Sequence, residues 1–495
     1  MKKVTVIGAG FAGMSAATCL ADNGFEVTVL EKNNMPGGRA RKFSSDGFAF
    51  DMGPTWYWMP DVFESYFNRF GKKVNDYYEL ERLDPSYRIY YDKNDFLDIP
   101  ATLEELYPLF DQLEEGSGGK LKSFLEEGKR KYEIGVNKLV YQPGLSWLEL
   151  LHWEVIKSSV HLHLFSSVSS QVRKTFKNNR IIQLLEFPVL FLGATPKHTP
   201  ALYTLMNYAD MVLGTWYPKG GMHKVVEGME ALAKEKGVRF HYDSPVDQIN
   251  LSANAIKSVA TGRKEIPTDF VIASGDYHHV EQQLLPASYR KYDAKYWDNR
   301  VLAPSALIFF LGINKKVNGL CHHTLFFDED FALHAKEIYD QPQWPTSPQF
   351  YISCPSKSDP TTVPKGCENI MILLPVSAGL VDTNETREKY FKMIMGRLER
   401  ILGETIQPHV VFKRSYAHND FISDYNSLKG TAYGLANTLW QTANLKPSMV
   451  NPRVDNLFYA GQLTVPGPGV PPSIISGQVS AQLVIDKAKS KINRR

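Results

Sequence analysis

Three glycines in Gly8-Ala9-Gly10-Phe11-Ala12-Gly13 follow a short apolar run, Lys3 to Ile7, and precede Met14, Ala17 and Ala21 at helical spacing. Strand, glycine turn and helix in that order predict an anion site. Gly8 permits the tight turn, Gly10 lets a diphosphate approach the backbone, and Gly13 lets the helix pack closely on the strand. The first N–H groups of the helix then face the phosphates. A second apolar run, Glu26 to Leu30, ends at Glu31, about 20 residues on, where a ribose-binding carboxylate belongs. Its charge argues against a 2′-phosphate, and hence against NADP.

Two more glycine turns come next, Pro36-Gly37-Gly38-Arg39 and Phe50-Asp51-Met52-Gly53-Pro54-Thr55. Paired glycines beside an arginine offer backbone N–H groups and a guanidinium to phosphate oxygens. They favour FAD over NAD. On physics alone, a surface hairpin with a solvated arginine explains the first of these turns equally well.

The elements that must position these residues exceed one core. A chain of 495 residues points to two or three domains, and 43% apolar residues suffice to fill them. With 56 basic against 53 acidic residues, the net charge of +3 gives no field for nucleic acid. Four cysteines (Cys19, Cys321, Cys354, Cys367) have no C-x-x-C spacing and read as reduced thiols. The N-terminus reads as a strand rather than a signal peptide, so a cytoplasmic protein is expected. No window has the roughly 18 uncharged apolar residues of a membrane span. Pro466-Gly467-Pro468-Gly469-Val470-Pro471-Pro472 is a concentrated turn signal ahead of a helical pattern from Ser473.

These motifs, with Asn456 to Gly461 as a strand ending in glycine, resemble the flavin amine-oxidase and phytoene-desaturase superfamily. Within it the sequence is most similar to bacterial phytoene desaturases, essentially end to end. The likeness is carried by Phe50 to Pro60, Phe191 to Thr204, Trp216 to Gly228, His322-His323-Thr324 and Pro466 to Gly477. It implies an α/β fold with a discontinuous Rossmann-like FAD-binding domain, a mixed-sheet substrate domain and a helical cap. The expected FAD-binding parts are residues 1–87, 215–290 and 422–495. The substrate domain takes 88–214, with a membrane-facing cap, and 291–421. The implied cofactor residues are Gly8, Gly10, Phe11, Ala12, Gly13, Glu31, Gly37, Gly38, Arg39, Gly53, Pro54, Thr55, Val246, Gly461, Gln462, Gly469, Val470, Pro471 and Ile474. Val246, on a strand through Ile249, is the family-like adenine contact, although a plain strand valine is the simpler reading of the residue itself. Gln462 departs from the acidic residue that many FAD proteins use for the ribityl chain.

The resemblance implies noncovalent FAD, since no cysteine follows Cys367, and a hydride passing from a C40 carotenoid to flavin N5. Charge left near N1 would meet the positive end of the helix from Ser473. Oxygen or a quinone, not NADP⁺, is the expected electron acceptor. Glu149, in an apolar stretch, is the candidate acid/base, against the simpler reading of a solvated cap carboxylate. Trp56, Trp58, Trp147 and Trp216 are candidates for the wall of a polyene tunnel, with core packing as the alternative. His322-His323 and His278-His279 lack further ligands at metal spacing, so no metal is assigned. Apolar stretches at Leu139 to Val168 and Ile181 to Ala194 predict peripheral attachment to the inner membrane surface. Competing readings on the same motifs are a flavin amine oxidase and an isoprenoid escort protein without redox chemistry.

Overall fold

The computed structural model describes residues 1–146 and 166–492. Its organising element is a five-stranded sheet in the order Leu457–Tyr459, Phe270–Ala273, Lys3–Ile7, Glu26–Leu30, Arg239–His241. Every neighbouring pair is parallel. Both faces are covered, which is why Val4, Val6, Val27, Val29, Val271 and Ile272 are all buried, and Thr5 between two of them as well. Helix Phe11–Asp22 lies on this sheet, flanked by helices His223–Glu235 and Val470–Ile492. The last approaches it at backbone distance: a Cβ on Gly477 would stand 2.2 Å from Ala12 O. Ser15 Oγ also donates to Ile474 O across the same contact (2.7 Å). Strands widely separated in the chain thus close one α/β layer.

A second, mixed sheet has seven strands, in the order Val410–Tyr416, Ser305–Ile313, Glu368–Val376, Phe350–Ser353, His323–Phe326, Tyr87–Asp92, Asp95–Ile99. Only His323–Phe326 and Tyr87–Asp92 pair in parallel. Side chains alternate across it. Leu307, Phe309 and Leu311 pack on helix Asn384–Leu402 through Ile394 and Leu398. Ile308, Phe310, Leu325 and Tyr351 face the other way, into a core shared with helices Ser117–Ile134, Val168–Thr175 and Asn179–Glu186. These helices form the cap over that sheet.

Three local expectations need correcting. The C-terminal helix starts at Val470, not near Ser473; Pro471 and Pro472 fit its first turn, where a missing N–H costs nothing. The strand expected to carry Val246 begins only at Gln248, because Pro245 has no N–H for a ladder. Phe187, expected on a membrane-facing surface, is buried and packs on Trp56, Trp58 and Tyr87. No described helix is long and apolar enough to cross a membrane.

Candidate functional site

A cleft of about 470 Å3 lies at the carboxyl ends of the parallel strands, the position where open parallel sheets bind ligands. Its floor is the first glycine turn. Gly8 N–H donates to Leu30 O (2.8 Å), and Ser274 Oγ donates to Ile7 O and Gly8 O (3.0 and 2.9 Å). A Cβ on Gly13 would collide with Gly8 O at 2.0 Å, whereas one on Gly10 would meet nothing within 4 Å. Gly13 therefore serves the packing of helix on strand, and Gly10 leaves room for a ligand. No side chain caps helix Phe11–Asp22, so its first N–H groups are left for an anion.

Glu31 forms one wall. Its Oε2 accepts the Ala9 N–H (2.8 Å), and its Oε1 accepts the N–H and the Nδ2 of Asn33 (both 2.9 Å). Arg39 forms another. Its Nη2 donates to Ser427 Oγ (3.1 Å) and Thr431 O (3.3 Å), and its guanidinium lies 5.0 Å from the centre of the Tyr425 ring. The buried Arg39 Nε has no partner. Below it Asp276 accepts the His279 and Leu428 N–H groups (3.0 and 3.3 Å). Burial raises the Asp276 carboxyl above its ordinary range, against the pull of those N–H groups and of Arg39. An uncapped helix end, an open glycine, an unmet guanidinium N–H and a carboxylate suit the diphosphate and ribose of a dinucleotide.

Of the residues anticipated for the cofactor, Gly8, Gly10, Phe11, Ala12, Glu31, Gly37, Gly38, Arg39, Gly53, Pro54, Val246, Gly461, Gln462, Gly469 and Val470 line the cleft. Four do not. Gly13 and Ile474 sit in the contacts beneath it, and Pro471 lies in the first turn of the C-terminal helix. Thr55 turns toward the mixed sheet, where its Oγ1 meets Tyr351 OH at 2.9 Å. Asn33, Asp276, Asp424 and Tyr425 also line the cleft and were not anticipated. For Asp276 a signal existed: an aspartate three residues before His279, just after a strand, is a helix cap. Asp51, in the third glycine motif, holds that motif against helix His223–Glu235 by accepting the Met222 and His223 N–H groups (2.7 and 3.0 Å). Gly221, at φ +99°, keeps a Cβ out of that carboxylate.

Ala306, Ile308 and Leu373 continue the cleft into the mixed sheet. Ile308, Leu373, Tyr351 and Leu325 are successive cross-strand partners and so share one face. Aromatic rings cover this face. Trp56 stacks on His323 (4.1 Å, 10°) and touches Trp58, Tyr87, Tyr351 and Phe187. Trp58 Nε1 donates to Thr215 Oγ1 (2.8 Å), and Tyr87 OH donates to Asp210 (2.7 Å). Trp216 packs elsewhere, against the core of the parallel sheet, with its Nε1 on Leu213 O (2.9 Å). Trp147 and Glu149 lie outside the described residues.

His322 and His323 are buried with rings 4.6 Å apart, closer than adjacent strand residues that point apart. They bond to Ser358 (2.9 Å) and Tyr351 (2.6 Å) respectively. Burial pushes His322 down to about 3 and His323 well below the usual range. Both stay neutral at physiological pH. Among the described residues no group of three or more His, Cys, Asp or Glu could hold a metal ion.

The family model for flavin containing amine oxidoreductases matches residues 11–485. A carotenoid 3,4-desaturase of Haloarcula japonica is 39% identical over 98% of both chains. A zeta-carotene-forming phytoene desaturase of Myxococcus xanthus is 28% identical over 99% of this chain and 95% of its own. Among solved structures, an oxidoreductase from Methanosarcina mazei superposes with a TM-score of 0.62 over 98% of this chain and 100% of its own, at 17% identity.

Proposed function

Since the chain belongs to the flavin containing amine oxidoreductases and, among them, to the carotenoid desaturases, we propose that it introduces C=C bonds into an acyclic C40 carotenoid. Bound FAD supplies the two-electron oxidant. Gly10, the first turn of helix Phe11–Asp22 and Arg39 hold its diphosphate, and Glu31 holds its ribose. The attachment is noncovalent.

The observation that carries the reading is the continuity of two unlike surfaces. The dinucleotide cleft, polar at its glycine turn, Glu31 and Arg39, runs into an apolar face through Ile308 and Leu373 and on to the rings of Trp56 and Trp58. A hydrocarbon offers nothing to hydrogen-bond, so shape and aromatic contact must fix which CH₂–CH₂ unit meets the oxidant. Neutral His323 and the apolar rings exclude water without adding charge. Oxygen or a quinone then removes the electrons.

A second reading concerns position. The Haloarcula relative is named for 3,4-desaturation, which favours a terminal C=C bond on a carotenoid whose centre is already conjugated. The deciding experiment incubates the FAD-loaded protein in liposomes with phytoene, γ-carotene and a 1′-hydroxy carotenoid separately. Lengthened conjugation with phytoene supports internal desaturation, and reaction only with the other two supports terminal action. Full loading with no spectral change on any of them would refute the proposed desaturation.

A further inference from the structure

Two buried lysines of this chain differ in one respect. Lys131, 1% exposed, has its ammonium met by Glu127 (2.7 Å), Gln171 (2.8 Å), Thr204 (3.0 Å) and Ala201 O (3.1 Å). Lys446, 4% exposed, has an Nζ with no hydrogen-bond partner among the described residues. Beside it the Oδ1 of Asn437, itself 2% exposed, is also without a partner. Both atoms flank Gly467: a Cβ built there would stand 3.3 Å from Asn437 Oδ1 and 3.4 Å from Lys446 Nζ. Gly467 has φ +133°, a backbone conformation that favours glycine, so the chain passes close to both groups there. The next two residues, Pro468 and Gly469, line the cofactor cleft, as do Ala432 and Tyr433 on the segment that leads to Asn437.

A buried ammonium without a partner is costly, so such a lysine rests as the neutral amine and takes a proton when a counter-charge arrives nearby. The cleft receives one whenever its flavin is reduced. We propose that Lys446 takes up the proton that accompanies flavin reduction. This rests on the FAD-dependent desaturation proposed above. One substrate carbon gives a hydrogen with its electron pair to the flavin. The adjacent carbon releases a proton, an equivalent proton is bound at Nζ behind the Gly467 turn, and the C=C bond forms between the two carbons. The substrate loses two electrons, the flavin gains two, and the lysine changes from amine to ammonium. Asn437 Oδ1 then accepts a hydrogen bond from the new ammonium.

Burial lowers the lysine to about 7 and is the sole cause of the shift; no charged group facing it contributes. In the oxidised protein at pH 8 it is therefore mostly the neutral amine, a proton acceptor. Negative charge in the cleft raises its proton affinity again.

The test is potentiometric and needs no substrate. The midpoint potential of the FAD-loaded protein is measured against pH, and its slope counts the protons taken up per two electrons. Near pH 8 the wild type should take up two, and Lys446→Met and Lys446→Gln one. Near pH 5.5, where the amine is charged beforehand, the difference between wild type and variants should vanish. Both variants should remain yellow, with a Tm equal to or above that of the wild type, since an unpaired buried lysine is a burden on the fold. Equal slopes for wild type and variants at pH 8 would overturn the assignment of Lys446 while leaving FAD binding intact. A wild type that retains no flavin would instead overturn the cofactor reading, and this proposal with it.

Discussion

The dinucleotide cleft and the apolar compartment meet along Ile308 and Leu373 but are made of different materials. At its phosphate end the cleft is glycine turns, a helix end and a few oriented polar side chains. The compartment is mostly large side chains, gathered from residues 56, 58, 87, 187, 323 and 351 and held by buried polar groups beneath them. The first is therefore sensitive to where a single Cβ points, and the second to what lies under the rings.

The sharpest way to break this contrast is inside one glycine motif. Gly13→Val places its Cβ 2.0 Å from a backbone oxygen, which cannot move without parting helix from strand. No folded protein should be recovered. Gly10→Val, with nothing within 4 Å of its Cβ, should fold with an unchanged circular-dichroism spectrum and purify colourless. A yellow Gly10→Val protein would show that the cofactor lies elsewhere.

Beneath the compartment, Asp210 accepts from Tyr87 OH and Thr215 Oγ1 (2.7 and 3.3 Å), and burial pushes it up to about 7. Its folded pKa is above the unfolded value near 3.9, so the fold prefers the protonated acid. That stabilisation is fully present below about pH 4 and is lost as pH rises through about 7. Three units correspond to about 4 kcal/mol. Urea unfolding at pH 4.5 and pH 8 should show the wild type losing stability relative to Asp210→Asn by an amount of that order. A wild-type-to-variant difference independent of pH would mean that the carboxyl is ionised throughout.

This contrast also explains what the amino-acid sequence reveals. Gly8, Gly10, Glu31 and Arg39 line one cleft because strand, turn and helix form locally and carry their ligand groups with them. The rest of the parallel sheet is not local: only Lys3–Ile7 and Glu26–Leu30 are neighbours in the chain, and the other three strands arrive from residues 239–241, 270–273 and 457–459. The compartment is assembled across the chain: Trp56 stacks on His323, and Thr55 leaves its glycine motif for Tyr351, contacts between residues hundreds of positions apart. No spacing encodes them. Nor does it encode Phe187, whose apolar stretch suits a lipid-facing surface and a buried one equally well. Lys446 was invisible for the same reason, since only the fold shows that its ammonium has no partner.

A smaller effect separates two functions of charge in the cleft. Arg39→Met removes a guanidinium with an unmet N–H, and Glu31→Gln keeps the shape of a carboxylate already bonded to Ala9 and Asn33. A charge-assisted bond is worth about 1.5–3 kcal/mol, so Arg39→Met should weaken FAD binding by roughly 10- to 100-fold. Glu31→Gln should lose less. Fluorescence titration of the apoproteins measures both, and the reverse order would mean that the ribose end, not the diphosphate, dominates binding.

The compartment must be filled from outside, and one exposed apolar surface is a candidate for the entrance. Trp440 is 81% exposed, Val301 48% and Leu145 44%. Their segments are tied together, Val301 N–H to Gln441 Oε1 (2.9 Å) and Asn444 Nδ2 to Ser146 O (2.6 Å). This surface is a better candidate for contact with lipid than Phe187, which is buried. A C40 hydrocarbon crossing water would expose tens of CH₂-sized units at about 0.8 kcal/mol each, whereas passage from bilayer to protein exchanges one apolar surface for another. An indole that rests against lipid without full burial contributes about 1 kcal/mol, so Trp440→Glu should lower co-flotation with liposomes roughly fivefold. High salt should change it little, because the contact is apolar. Among the described residues the Trp440 indole makes no hydrogen bond, so the variant should keep its Tm and its flavin, and unchanged flotation would move the entrance to another face.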